Sequence, residues 1–364
     1  MTDDRMMCRF SGHSHACAHE TTPVLELDGV LVTVSVDDDG TLWTCDLLGG
    51  ECAKRDLELD AAGPEDDWYE QNGGLGWGED DTDEDEDEER TEIEAEAVEI
   101  VSVLTVAHLE GRPVVVTGGG RFDLSHPDLE TMGGAVRVWD LRTGRKIGKT
   151  LTGHGLGVHS LTTVASGQGL IAVSSSEEGK LLAWNLTRGG EKVTEIKGSY
   201  NGGMGAGLVD GRPVAVTGGD DDFLQGWDLL NGEQIGKNLT GIEPAVRAIA
   251  ITEVNGRTVV VAGGDDNALH RWDLTTQEPI GAPMAGHTDS IQTLGTATVA
   301  GHAIAVTGSN DGTTRLWDLA SGQQIGDPIT GHDLQMVTEV AGTPVAVTAS
   351  EDGIRVWDLT LATR

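Results

Sequence analysis

The sequence predicts an all-β chain assembled from seven copies of one short unit. Trp-Asp-Leu occurs at Trp139, Trp227, Trp272, Trp317 and Trp357, with Trp184-Asn185-Leu186 a near copy and Trp43-Thr44-Cys45-Asp46-Leu47 a degenerate one. Successive Trp separations are 96, 45, 43, 45, 45 and 40 residues, a steady period with one enlarged gap. Between these marks lie alternating stretches such as Pro213-Val-Ala-Val-Thr, Ala303-Ile-Ala-Val-Thr and Pro344-Val-Ala-Val-Thr, bounded by Gly-rich turns, which read as short strands. The composition agrees, with 9 Trp against 3 Phe and 2 Tyr, and 52 Gly in 364 residues.

Within one unit the elements follow a fixed order. Gly-His pairs open four units at Gly12-His13, Gly153-His154, Gly286-His287 and Gly331-His332. Thr33, Ser174 and Thr307 each follow their His by 20 residues, and the Trp follows 10 later. Thr117 and Thr217 hold the same place before Trp139 and Trp227. After each Trp come Asp-Leu, a Gly turn and a last strand such as Gln323-Gln-Ile-Gly-Asp-Pro. Seven such units, with excesses of 39 residues after Trp43 and 12 residues after Thr117, account for residues 1–364 and leave nothing for another domain.

These marks resemble the WD-repeat β-propeller family, over nearly the whole chain. The resemblance implies seven four-stranded blades around a central channel. It also implies a hydrogen-bonded His–Ser/Thr–Asp–Trp tetrad per blade: His287, Thr307, Asp311 and Trp317; His332, Thr348, Asp352 and Trp357; and His13, Thr33, Asp37 and Trp43. Ile242 and Ala262 break the pattern before Trp272, as Glu178 does before Trp184, and each lost bond should forgo about 1 kcal/mol and loosen its blade. Only seven residues follow Trp357, so the N-terminal strand around Arg5-Met-Met-Cys-Arg-Phe is expected to complete the last blade and close the ring. The wording of the repeats is similar to that of bacterial, actinobacterial members.

Two features exceed what the fold needs. An insertion over 59–97 lies between the first and second blades and a smaller one, 120–133, in the second blade's hairpin; both fall on the family's top face. From Asp60 to Glu99 there are 19 acidic residues and one Arg, a composition that opposes burial and favours disorder. Trp68, Tyr69 and Trp77 precede the acidic run and are candidate anchors, either for a partner or against the propeller itself.

Charge limits the partners. With 24 Lys+Arg against 61 Asp+Glu the net charge is −37, which argues against nucleic acid and anionic membrane surfaces and favours a basic partner. No segment reads as a signal peptide or membrane helix, and Cys8, Cys17, Cys45 and Cys52 lack zinc spacing, so they read as reduced thiols of a cytoplasmic protein. His13, His15, Cys17 and His19 alternate, but His13 belongs to a tetrad and Cys17 to a core position, so no metal or other cofactor is expected. The acids at Asp37 to Asp39, Asp220 to Asp222 and Asp265-Asp266 read as turn residues. No catalytic motif is present.

The sequence therefore predicts a monomeric, non-catalytic platform that recognises a protein or peptide on its top face. Trp68, Tyr69, Trp77, Arg121, Phe122, His126, Tyr200 and Asp222 are its candidate binding residues, and the competing reading is a catalytic or small-molecule-binding propeller with a site at the top of the channel, lined by Trp68, Arg121, Phe122, His126 and Tyr200.

Overall fold

Seven antiparallel sheets succeed one another along the chain in the computed structural model, which describes residues 7–8, 23–36, 41–46, 52–57, 97–123, 132–176, 178–198, 202–218, 222–242, 245–340, 342–350 and 353–361. The first strand, β1 (Met7–Cys8), belongs to the last sheet. Blade 1 is β2 (Val24–Leu27), β3 (Val30–Val36), β4 (Thr41–Asp46) and β5 (Cys52–Asp56). Blade 2 is β6 (Ala97–Leu109), β7 (Arg112–Asp123), β8 (Met132–Asp140) and β9 (Leu151–Thr152). Blade 3 is β10 (Val158–Ser166), β11 (Gly169–Ser176), β12 (Lys180–Asn185) and β13 (Glu191–Lys197). Blade 4 is β14 (Met204–Val209), β15 (Arg212–Thr217), β16 (Phe223–Asp228) and β17 (Leu239–Thr240). Blade 5 is β18 (Val246–Val254), β19 (Arg257–Gly264), β20 (Ala268–Asp273) and the short outer pieces β21 (Glu278–Pro279) and β22 (Met284–Ala285). Blade 6 is β23 (Ile291–Val299), β24 (His302–Ser309), β25 (Thr313–Asp318) and β26 (Gln323–Thr330). Blade 7 is β27 (Asp333–Val340), β28 (Thr343–Ser350) and β29 (Gly353–Asp358), and it takes β1 as its outer strand through Met7 opposite Arg355 and Cys8 opposite Ile354. The N-terminus thus closes the ring.

Each second strand is apolar on both faces because a neighbouring blade covers each face. Val114 to Val116, Ile171 to Val173, Val259 to Val261 and Ile304 to Val306 are all fully buried. The core is accordingly divided into clusters that lie between successive blades, such as Val116, Val136 and Val158 with Trp184 between blades 2 and 3. At the seam of blades 7 and 1 the cluster is the smallest among the described residues, with Val24 and Val347 its buried members.

Turn chemistry fixes the register. The hairpins after the first strands carry Asp28-Gly29, Glu110-Gly111, Asp210-Gly211, Asn255-Gly256 and Ala300-Gly301, with φ between 49° and 83° at every one of these positions. Two successive positive φ values make the type I′ turn, whose twist matches that of the strands it joins. The Asp of each Trp-Asp caps the opposite turn: Asp140 accepts from the amides of Arg142 and Thr143, Asp273 from Thr275 and Thr276, and Asp318 from Ala320 and Ser321.

Blade 2 is longer than its neighbours at the top. Ala97 pairs with Asp123 and Arg121 with Met132, so strand pairing runs into the 120–133 insertion; residues 124–131 lie outside the described residues. Glycine is required along this extension: a Cβ on Gly119 would stand 1.8 Å from the Ile100 carbonyl oxygen.

Candidate functional site

The top face is the end of the ring formed by the loops that enter each first strand and the hairpins that follow each second strand. Its loops are held by buried polar networks. In blade 6, His287 Nε2 lies 2.7 Å from Thr307 Oγ1, Trp317 Nε1 donates to the same hydroxyl at 2.9 Å, and His287 Nδ1 lies 3.0 Å from Asp311 Oδ2. A neutral imidazole donating from Nδ1 leaves Nε2 to accept from Thr307, whose oxygen then accepts the indole N–H. The same carboxylate accepts from the Thr288 amide at 2.9 Å, tying the entry loop to the hairpin. Burial alone would raise the Asp311 carboxyl's pKa, but hydrogen bonds from Thr313, Thr288 and His287 hold it below its ordinary value.

In blade 7 the Trp357 indole donates to Thr348 at 2.8 Å and His332 meets the ring edge-on, with centroids 6.0 Å apart; Asp352 lies outside the described residues. Trp139 and Trp227 donate in the same way to Thr117 and Thr217.

In blades 3 and 5, where the sequence pattern breaks, other groups supply the contacts. His154 Nε2 lies 2.8 Å from Ser174 Oγ, which accepts from Trp184 at 3.1 Å. His154 Nδ1 lies 3.0 Å from Ser176 Oγ, whose hydroxyl donates to Glu178 at 3.1 Å. Glu178 also accepts from the Gly155 amide at 2.7 Å, so its longer arm takes over the missing aspartate's part. Burial holds the His154 pKa down to about 4. In blade 5 the histidine comes from a different strand: His270 stacks on Trp272 with centroids 5.6 Å apart and lies 2.6 Å from Asp266. With Ala262 in place of a hydroxyl, the Trp272 indole donates to the Thr240 carbonyl instead.

Blade 1 corrects the sequence register. Trp43 stands opposite Ser35, and Thr33 stands opposite Cys45. In blade 6 the tetrad Thr307 faces Arg315, and Trp317 lies two residues further on. By strand register, Cys45-Asp46 occupies the place of Trp317-Asp318 and Ser35 that of Thr307. Trp43 and Thr33 therefore do not sit at tetrad positions. His13 and Asp37 lie outside the described residues. Cys45 and Cys52 are joined by a disulfide, correcting their reading as reduced thiols.

Of the other candidates, Trp68, Tyr69, Trp77, His126 and Tyr200 lie outside the described residues, and Arg121 and Phe122 lie on the blade 2 extension, opposite Glu99 and Val98. Asp222 is exposed on the top face of blade 4. Asp265, Asp289 and Asp333 are exposed on the same face of blades 5, 6 and 7. Sequence reading singled out Asp222 alone among these four as a binding residue, because turn acids look alike until the strands are placed. The cations nearby are engaged: Arg247 with Asp265 at 3.1 Å and Lys180 with Glu178 at 3.1 Å.

A cavity of about 600 Å³ opens at the other mouth of the ring, between blades 7, 1 and 2. Val24, Val106 and Met336 line it, with Asp28, His108 and Glu339 at its rim. Arg142 from the next blade grips Asp28, with Nε donating to Oδ2 at 3.2 Å. Among the described residues no group of three or more His, Cys, Asp or Glu is arranged to hold a metal ion, and no helix is long and apolar enough to cross a membrane.

The family model described as "WD domain, G-beta repeat" matches residues 279–318, which run from the end of β21 through β22 in blade 5 and hold the first three strands of blade 6. A search of curated proteins finds no match. Among solved structures the chain is similar to the computationally designed Ika8 protein, with a TM-score of 0.55 and 18% identity over 93% of this chain and 97% of that one. At that identity the likeness speaks to the fold.

Proposed function

Taking this chain as a WD-repeat β-propeller of seven blades, we propose that it is a binding platform whose top face takes a basic protein or peptide. Propellers of this family are commonly interaction scaffolds. The observation that carries the finer reading is the set of exposed carboxylates Asp222, Asp265, Asp289 and Asp333, delivered to one face by four successive blades. Beneath them, contacts centred on His270, His287 and His332 in blades 5 to 7 and the Trp227–Thr217 bond in blade 4 brace this face, so a partner meets a preorganised surface and little ordering cost. The net charge of −37 extends the attraction beyond contact distance and favours fast, salt-sensitive encounter.

Small-molecule binding is the second reading, and the cavity rimmed by Asp28, His108 and Glu339 favours it at the mouth opposite the one the sequence suggested. Titrating the protein with an arginine-rich peptide and with a glutamate-rich peptide of equal length separates the readings. The platform reading expects the basic peptide alone to bind, with affinity falling as salt rises. Equal binding of both peptides, or of neither, removes it.

A further inference from the structure

We propose that Cys45 and Cys52 form a thiol–disulfide switch that fastens and releases the outer strand of blade 1. The pair lies directly opposite on β4 and β5, joined across a hairpin of six intervening residues. In blades 2, 3, 4, 6 and 7 this place on the third strand holds Trp, whose indole N–H bonds to a Thr or Ser of the second strand. Cys45 has no such donor arm. Blade 1 carries instead a covalent bond from Cys45 to the outer strand, a tie that depends on redox state.

The surroundings suit reversible chemistry. Cys45 is 5% exposed, whereas Cys52, Ala53 and Lys54 are all exposed, so the outer member of the pair lies on an exposed stretch of the outer strand. Beyond the backbone ladder, β5 is held by Arg55 donating to Thr44 Oγ1 at 3.3 Å, by that hydroxyl donating to the Ala53 carbonyl at 3.5 Å, and by buried Leu57 just past its end. Reduction proceeds by exchange with a small dithiol. Its thiolate attacks the Cys52 sulfur, the S–S bond breaks, and Cys45 leaves as a thiolate that takes a proton from water. The dithiol's second sulfur then displaces Cys52 and closes a cyclic disulfide, so two electrons and two protons pass to the protein. Hydrogen peroxide reverses the change, giving the protein disulfide and two waters.

The test uses the full chain with Cys8→Ser and Cys17→Ser, so that Cys45 and Cys52 are its only thiols. Peroxide-treated protein should show no free thiol, and dithiothreitol should release two without unfolding the ring. Amide exchange across 52–57 should quicken about tenfold or more on reduction, while blade 5 stays unchanged. Adding Cys45→Ala and Cys52→Ala should fix the fast exchange under both conditions. Two free thiols after peroxide, a bond that yields only on global unfolding, or equal exchange in both states would overturn the switch.

Discussion

His270 Nε2 lies 2.6 Å from Asp266 Oδ2, restoring to blade 5 a His–Asp contact from a histidine two residues ahead of its tryptophan. The ring stacks nearly parallel on Trp272, at 14°, so the imidazole is held by both the carboxylate and the indole. His270→Ala and Asp266→Ala should each cost about 1–3 kcal/mol in urea unfolding, and the double variant little more than either alone. Fully additive losses would show that the two side chains act independently.

Asp311→Ala removes an acceptor for His287, Thr288 and Thr313 and should cost about 1–3 kcal/mol. Asp222→Ala changes an exposed residue and should stay within about ±0.5 kcal/mol. Matching midpoints for the two variants would displace the blade 6 network from its structural role.

Much of this was legible in the sequence because a buried Trp before Asp-Leu fixes the register of a whole unit. Trp139, Trp227, Trp317 and Trp357 each point to the hydroxyl that accepts their indole. Blade 1 was misread because Trp43, a chance neighbour, outweighed the Asp46-Leu47 pair that follows Cys45. Aligning on Asp-Leu would have put Cys45 opposite Cys52, seven residues on, as Trp317 is opposite Gln324. Glu178 and His270 were missed for another reason. A hydrogen-bond network conserves the positions of donors and acceptors, and a longer side chain or a different strand can supply the same atoms.

Acid should weaken the fold through His154. Burial keeps this imidazole neutral down to about pH 4 in the folded chain, while a solvated imidazole in the unfolded chain takes up its proton near 6.5. Between those values the unfolded state binds the extra proton, so stability falls as pH drops from 6.5 toward 4, by about 3 kcal/mol from this group. Burial also lowers the pKa of His287, so its contribution has the same sign. Urea midpoints measured across this window should fall less steeply for His154→Gln than for the parent. Parallel slopes would show that His154 titrates alike in both states.

Ala300 adopts φ 49° ahead of Gly301, a left-handed conformation that asparagine tolerates better than alanine. Asn255 already fills the same place in blade 5 with φ 52°. Ala300→Asn should therefore raise stability by up to about 1 kcal/mol, read as a higher thermal midpoint. An unchanged or lower midpoint would mean the turn carries no such strain.

The association rate of a labelled arginine-rich peptide, followed by stopped flow over a salt series, tests the platform most directly. Asp222→Asn, Asp289→Asn and Asp333→Asn combined remove three top-face charges from exposed positions. The account predicts association slowed about threefold to tenfold at low salt, with dissociation much less affected and the two proteins converging as salt rises. Identical association rates and salt slopes for parent and variant would contradict a basic partner on the top face.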